Sequence, residues 1–279
     1  MQDSQPSRTA QRVAMRRAAH QVIDDPRVFH DPLAVPMAGA ESEPPSASGQ
    51  PFSRALRAFL AARSRYAEDQ LARAVQRGVR QYVVLGAGLD TFAYRNPFQS
   101  LGLHVFEVDH PATQEWKRAR LRDAGIAIPA AMTFAAVDFE RQSLDGQLEL
   151  AGFRRTAPAF FSWLGVTPYL TRPAFDSTVA FIAGLPAASG LAFDYAVERS
   201  LLKPHQQLAL DAMAARVARA GEPFQLFFNP AALANDLACL AFGEIEDLNG
   251  DAINARYFSG RSDGLCVSGG GHILSAWVS

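Results

Sequence analysis

The chain has 279 residues, of which 48% are hydrophobic and 20% charged, and its formal net charge is -1. These values are ordinary for a globular protein and give no general electrostatic reason to bind nucleic acid. No segment approaches the roughly 20 apolar residues of a membrane helix, and the N-terminus lacks the apolar core of a signal peptide. Cys239 and Cys266 follow no metal-ligand pattern, so we expect buried thiols in a cytoplasmic protein, without a disulfide or a metal.

The first part of the chain, residues 1–78, is predicted to be a helical extension. A helix is expected over residues 9–23, a short helix begins at Asp31-Pro32, and a long helix covers residues 52–77. Residues 41–51 are rich in proline, serine and glycine, which is typical of a loop.

Strands and helices alternate in the second part of the chain, residues 79–199. Apolar strands are predicted at residues 82–85, 103–108, 132–137, 158–164 and 190–196. A short helix is expected at 90–98, and longer helices begin at Pro111 and Pro173. This alternation predicts a mainly parallel, doubly wound α/β sheet.

The third part, residues 200–279, completes what we predict to be one domain and contributes the acceptor side. Helices are expected at residues 205–220 and 231–242, and strands at 244–248 and 272–278.

A glycine turn, Gly86-Ala87-Gly88, directly follows the strand at 82–85. Ligands of open α/β sheets bind beyond the carboxyl ends of the strands, and glycine lets the backbone turn tightly and approach a ligand. The turn therefore indicates a cofactor site, although an ordinary strand-to-helix turn has the same pattern.

Two of the predicted strands end on an acid. Asp109 follows Gly88 by 21 residues and ends the second strand, whereas Asp138 ends the third. Asp109 is placed to accept hydrogen bonds from ribose hydroxyls, and Asp138 from an adenine amino group. Either acid could instead serve only as a cap or a turn residue.

The turn favours S-adenosylmethionine over a nicotinamide dinucleotide. Thr91 stands where the dinucleotide fingerprint has its third glycine. Asp90 would repel a pyrophosphate but would tolerate the ammonium group of methionine.

Five segments resemble the bacterial branch of the leucine carboxyl methyltransferase-like family of S-adenosylmethionine-dependent methyltransferases. They are residues 63–66 (RSRY), 84–91 (VLGAGLDT), 106–111 (FEVDHP), 137–139 (VDF) and 163–170 (WLGVTPYL). The likeness runs from about residue 10 to the end and is weakest after Leu202. It implies a seven-stranded class I methyltransferase sheet with an N-terminal helical extension and a lid.

The resemblance also implies which residues bind the cofactor. Arg63, with Arg65 as the alternative, matches the arginine that contacts the methionine carboxylate, which a guanidinium can bind through two parallel hydrogen bonds. Both arginines could instead lie on a solvated helix face. The remaining matches are Gly86, Ala87 and Gly88 in the turn, Asp109 at the ribose, and Asp138 with Phe139 at the adenine.

The acceptor is less defined by the sequence. Leu164 stands where many family members carry glutamate, so a contact made by that glutamate is not carried over. Tyr169 and Phe227 are candidates for an acceptor pocket walled by the N-terminal helices, the 41–51 loop and residues 200–229, although either side chain could instead pack in the core. His110 is either a base near the motif acids or a helix-start residue.

We therefore expect an O-methyltransferase that acts on a carboxyl or hydroxyl group of a small molecule or a peptide terminus. The alternatives are a nicotinamide-dependent oxidoreductase and a family member that binds cofactor without catalysis.

Overall fold

The computed structural model describes residues 8–39, 51–138 and 142–279. Within these ranges the chain forms a seven-stranded sheet with the order β3-β2-β1-β4-β5-β7-β6, in which β7 is antiparallel to both neighbours. The predicted mainly parallel, doubly wound α/β sheet is confirmed. The strands are β1 (Gln81–Leu85), β2 (His104–Asp109), β3 (Met132–Ala136), β4 (Ala159–Trp163), β5 (Gly190–Ala196), β6 (Phe242–Leu248) and β7 (Gly271–Val278).

The central strands are mainly apolar because helices cover both faces of the sheet. Every residue of β1 and β4 is buried. On one face Tyr66 and Leu71 of the long N-terminal helix belong to the core, and on the other Phe175 and Leu237 do so. The sheet is thus the middle layer of three.

Nine α-helices surround the sheet in the described residues. They are α1 (Arg8–Ile23), α2 (Ala34–Ala38), α3 (Pro51–Gln76), α4 (Pro111–Asp123), α5 (Leu144–Leu150), α6 (Arg172–Ala183), α7 (Pro204–Arg219), α8 (Pro230–Cys239) and α9 (Gly250–Tyr257). Neither α5 nor α9 was predicted, since each has two turns and too few apolar residues to show a helical period. None of these helices has the length and apolar character of a membrane span.

Two sequence-based expectations are wrong. The segment 90–98 forms a short 3-10 turn, Phe92–Tyr94, because Pro97 lacks the amide hydrogen that would continue a helix. Both cysteines are free but exposed. Cys239 ends α8 two positions beyond the buried Leu237, and Cys266 lies between the buried Leu265 and Val267, so neighbouring side chains face the core in their place.

Candidate active site

A cavity of about 480 Å³ lies at the carboxyl ends of β1 and β4, and α1 and α3 border it from the side. The chain runs outward from β1 through β2 to β3 and then returns to β4 beside β1. Ligands of doubly wound sheets bind where the strand order reverses in this way. The volume falls within the ~300–1,000 Å³ of small-molecule sites. We call this space the first cavity.

The glycine turn borders the first cavity and adopts a backbone that favours glycine. Gly86 and Gly88 have φ values of 65° and 47°. A Cβ atom on Gly86 would lie 2.4 Å from Cγ2 of Val166, so a side chain there would force the turn away from the loop after β4. Ala87 also borders the cavity.

Asp109 is held at the cavity by the turn itself. Its Oδ2 accepts a hydrogen bond from the Gly88 amide at 2.6 Å, and its Oδ1 accepts one from the His110 amide at 2.7 Å. Burial raises the pKa of Asp109 above its usual value, although these amide donors oppose the rise. The predicted acid therefore has a fixed orientation beside the turn.

Of the two residues predicted to lie at the adenine, Asp138 is among the described residues. Asp138 borders the first cavity, and its backbone exchanges hydrogen bonds with Gln142. Phe139 lies outside the described residues.

The two candidate arginines lie on the same helix, α3, but their side chains point to different sides of it. Arg63 borders the first cavity, and its Nη1 donates to Oδ2 of Asp194 at 2.7 Å. Arg65 has a side chain that is 51% exposed and pairs with Asp69 instead. Two positions turn a helix by about 200°, so both arginines cannot face one cavity. The structure brings Arg63, and not Arg65, to the site.

Asp90 differs from its sequence-based interpretation. It borders the cavity, but its Oδ2 accepts a hydrogen bond from Nη1 of Arg17 at 2.8 Å. Burial acts to raise the pKa of Asp90, but the charges of Arg17, Lys117 and Arg95 outweigh it and hold the pKa at about 2. The carboxylate is ionised and balanced by Arg17, so it is not the free negative charge that the argument against a pyrophosphate assumed.

A buried ionic network joins α1 to the glycine turn. Arg17 also pairs with Asp31 through Nη2 at 2.7 Å, and the hydroxyl of Thr91 donates to the same carboxylate oxygen at 2.7 Å. Arg95 adds an ion pair with Glu68 of α3. The N-terminal helices are thus fixed to the turn by charge as well as by packing.

Sequence reasoning missed Arg17 and Asp194, although each left a signal. Asp194 is the single acid within the apolar strand β5, and an acid in such a strand must find a buried partner. Arg17 lies on the inner side of α1 and is 8% exposed. A buried arginine predicts a carboxylate, but the sequence does not say which one.

A second cavity of about 420 Å³ adjoins the first. α1, α3 and α7 contribute to its walls together with the ends of β5 and β7. The residues that border both cavities are Thr9, Val13, Leu60, Arg63, Gly165 and Tyr169. We call this shared part the junction.

Of the two aromatic residues predicted to line an acceptor pocket, one borders the cavities and the other does not. Tyr169 lies at the junction, and burial raises its pKa to about 12, so its hydroxyl keeps its proton near neutral pH. Phe227 borders neither cavity and packs on Phe224, which does border the second one and contacts Tyr169. Residues 41–50 of the predicted loop lie outside the described residues.

Leu164 and His110 both border the first cavity. Leu164 packs against the core on the α3 side, so its apolar side chain suits its place. Nδ1 of His110 accepts the Ala112 amide at 3.2 Å and caps α4, which confirms the helix-start interpretation.

These features define a class I methyltransferase fold with a cavity at the switch point of the sheet. Comparisons with known proteins agree. Residues 10–183 match the family model described as leucine carboxyl methyltransferase. The chain belongs to the leucine carboxyl methyltransferase family of S-adenosylmethionine-dependent methyltransferases.

Curated relatives carry the name "Putative S-adenosyl-L-methionine-dependent methyltransferase". The Bacillus subtilis protein YktD is 38% identical over 73% of this chain and 67% of its own length. A Saccharopolyspora erythraea protein is 34% identical over 64% of this chain and 63% of its own length. A Mycobacterium avium protein is 34% identical over 67% of this chain and 65% of its own length. The chain thus matches about two thirds of the length of these relatives.

Solved structures share the fold at low sequence identity. A "putative methyltransferase" from Thermobifida fusca is 17% identical, with a TM-score of 0.61 over 100% of this chain and 97% of that one. A DUF574 family protein from Streptomyces avermitilis is 16% identical, with a TM-score of 0.56 over 99% of both chains. At these identities the likeness concerns the fold alone.

Proposed function

We propose that the protein transfers the methyl group of S-adenosylmethionine to an oxygen atom of a carboxyl or hydroxyl group on a small molecule or a peptide terminus. The observation that carries this proposal is the junction, where a second, largely apolar cavity opens onto the cofactor side. An acceptor bound there would meet the cofactor next to Tyr169. We propose that helices from residues 1–78 and 200–279 form most of the acceptor side, because α1, α3 and α7 contribute to the walls of the second cavity.

The donor set of the first cavity suits S-adenosylmethionine. Arg63 offers a guanidinium for the methionine carboxylate, since Asp194 takes one of its five N–H donors. We assign Asp109, whose carboxylate the Gly88 amide holds in place, to the ribose hydroxyls, and Asp138, which borders the cavity, to the adenine side. The exposed and free thiols of both cysteines are consistent with a reducing, cytoplasmic location, which we also propose.

The chemistry that we propose needs alignment more than acid–base catalysis. The cofactor, when bound, supplies a methyl group on a sulfonium: the S–C bond breaks, an O–C bond forms, and sulfur keeps the electron pair. A carboxylate acceptor is already ionised, whereas a hydroxyl acceptor must lose a proton. Tyr169 stays protonated, so we assign it the role of a hydrogen-bond donor that orients the acceptor.

A methyl-transfer assay tests this proposal. The protein is incubated with S-adenosylmethionine that carries a tritiated methyl group and with panels of carboxylic acids, alcohols and peptides. Each acid is matched with its methyl ester and each peptide with its C-terminal amide. We expect label in at least one unblocked member and none in its blocked counterpart. Alkaline hydrolysis then separates the products, because an ester releases methanol and an ether does not. Label found on nitrogen, sulfur or carbon would contradict the proposal.

A further inference from the structure

The second cavity carries positive charge that its own residues do not balance. Arg12 and Arg16 of α1 and Arg216 of α7 border this cavity and not the first one. Across the described parts of the chain, none of these three guanidinium groups pairs with a carboxylate. Arg16 donates from Nη1 to the Arg12 carbonyl oxygen at 3.2 Å, while its buried Nε has no partner there.

The three arginines are close enough to repel one another. Burial lowers the pKa of Arg16, and the charges of Arg216 and Arg12 lower it further. Like charges gathered around a partly enclosed space are relieved when an anion binds between them. Arginine suits that task because its planar group can form two parallel hydrogen bonds with a carboxylate or a phosphate.

The rest of the second cavity is mainly apolar. Leu56 and Phe59 come from α3, Leu210 and Met213 from α7, and Phe224 from the segment after α7. The acid that borders this cavity, Asp194, is already engaged: Arg63 donates to one oxygen, and the Gly165 amide donates to the other at 2.5 Å. Asp194 therefore does not neutralise the three arginines.

We propose that the second cavity binds an amphipathic organic anion, with its apolar body on the leucine and aromatic side chains and its carboxylate or phosphate on Arg12, Arg16 and Arg216. This inference rests on the proposed function, because the bound anion is taken to be the methyl acceptor. The anionic group is an anchor. It lies away from the first cavity, and the oxygen that is methylated belongs to another group of the molecule, at the junction beside Tyr169.

Calorimetric titration of the full chain, saturated with S-adenosylhomocysteine, tests the anchor. The probes are decanoate, decyl phosphate and 1-decanol, each below the concentration at which it aggregates. They share an apolar chain and differ in the head group. We expect at least one anion to bind tenfold or more tightly than 1-decanol, and the better anion identifies the head group. Equal affinities for all three probes, or no binding of either anion, would overturn the proposal.

Arginine variants assign the binding to the three side chains. We expect Arg16→Met and Arg216→Met each to weaken binding of the preferred anion five- to tenfold, with little change for 1-decanol. Arg16→Lys keeps the charge and should retain most of the affinity. The matched control is Arg219→Met, because Arg219 is also exposed on α7 but borders neither cavity. An equal loss in the control would show a general charge effect and reject the site.

The two proposals fail in different ways. Anion binding that depends on Arg16 and Arg216, in a protein that methylates no carboxyl or hydroxyl group, would keep the anion site and reject the proposed function. Methyl transfer by a protein that binds 1-decanol as tightly as decanoate and decyl phosphate would reject the anion site alone.

Discussion

The two cavities are built differently, although they share a junction. The first lies at the strand ends, and its charged residues have partners: Asp90 pairs with Arg17, Asp109 accepts two amides, and Arg63 pairs with Asp194. The second is walled mainly by helices beside the sheet, and three of its arginines have no carboxylate partner in the described residues. α7 buries only Val217 within the fold.

This difference has a functional meaning. A site whose polar groups are already oriented binds a cofactor with little reorganisation. A site with unbalanced charge is stabilised when a ligand of the opposite charge binds. This difference supports the two proposals, a cofactor in the first cavity and an anionic acceptor in the second. Four predictions test the comparison, from the largest expected effect to the smallest.

Arg63→Met should have the largest effect, because it leaves the carboxylate of Asp194 buried without its cation. We expect the free energy of unfolding to fall by about 3–5 kcal/mol, measured by urea denaturation. The double variant Arg63→Met/Asp194→Asn removes the unpaired charge and should recover part of that stability but not the affinity for S-adenosylhomocysteine. Full recovery of both would mean that Arg63 has only a structural role.

Asp109→Ala should weaken cofactor binding by about 1–3 kcal/mol, since buried hydrogen bonds to the ribose are lost. Calorimetry with S-adenosylhomocysteine measures the change. Asp123→Ala is the control, because Asp123 is exposed at the end of α4. If the folded Asp109→Ala protein bound as tightly as the control, Asp109 would not belong to the site.

Asp90 should make stability depend on pH in the acid range. Its folded-state pKa of about 2 lies below the ordinary 3.8, so the ionised form stabilises the fold above about pH 4, and this stabilisation is lost as the pH falls from about 4 to 2. In that window the free energy of unfolding of the wild type should fall by up to about 2 kcal/mol relative to that of Asp90→Asn. A constant difference between pH 5 and pH 2 would show that the carboxylate is not held by Arg17.

Arg65→Ala should have the smallest effect. Its exposed ion pair with Asp69 is worth about 0.3–0.5 kcal/mol, and the side chain lies outside both cavities. We expect unchanged affinity for S-adenosylhomocysteine. A loss similar to that of Arg63→Met would reverse the assignment of the two arginines.

The sequence predicted the parts of the molecule that depend on local pattern. All seven strands of the sheet were expected, and the pattern is clearest for β1, β4 and β5, because strands buried on both faces are short, mainly apolar runs bounded by turn residues. The glycine turn and Asp109 were recognised for a similar reason, since both follow such runs directly.

The remaining features of the site depend on contacts between residues far apart in the sequence, so they could not be predicted. Arg17 meets Asp90 over 73 positions, and Arg63 meets Asp194 over 131, so no local pattern connects them. The choice between Arg63 and Arg65 depended on which side of α3 faces the first cavity, and the sequence does not show this. The arginines of the second cavity come from two helices at distant points of the chain, and neither helix alone indicates an anion site.

The measurement that tests the central claim most directly is calorimetric titration of the wild-type protein with S-adenosylhomocysteine and, separately, with NAD. We predict one S-adenosylhomocysteine bound per chain, with affinity that falls in Asp109→Ala and stays unchanged in Arg65→Ala, and no measurable binding of NAD. Tight NAD binding without S-adenosylhomocysteine binding would contradict the assignment of the first cavity.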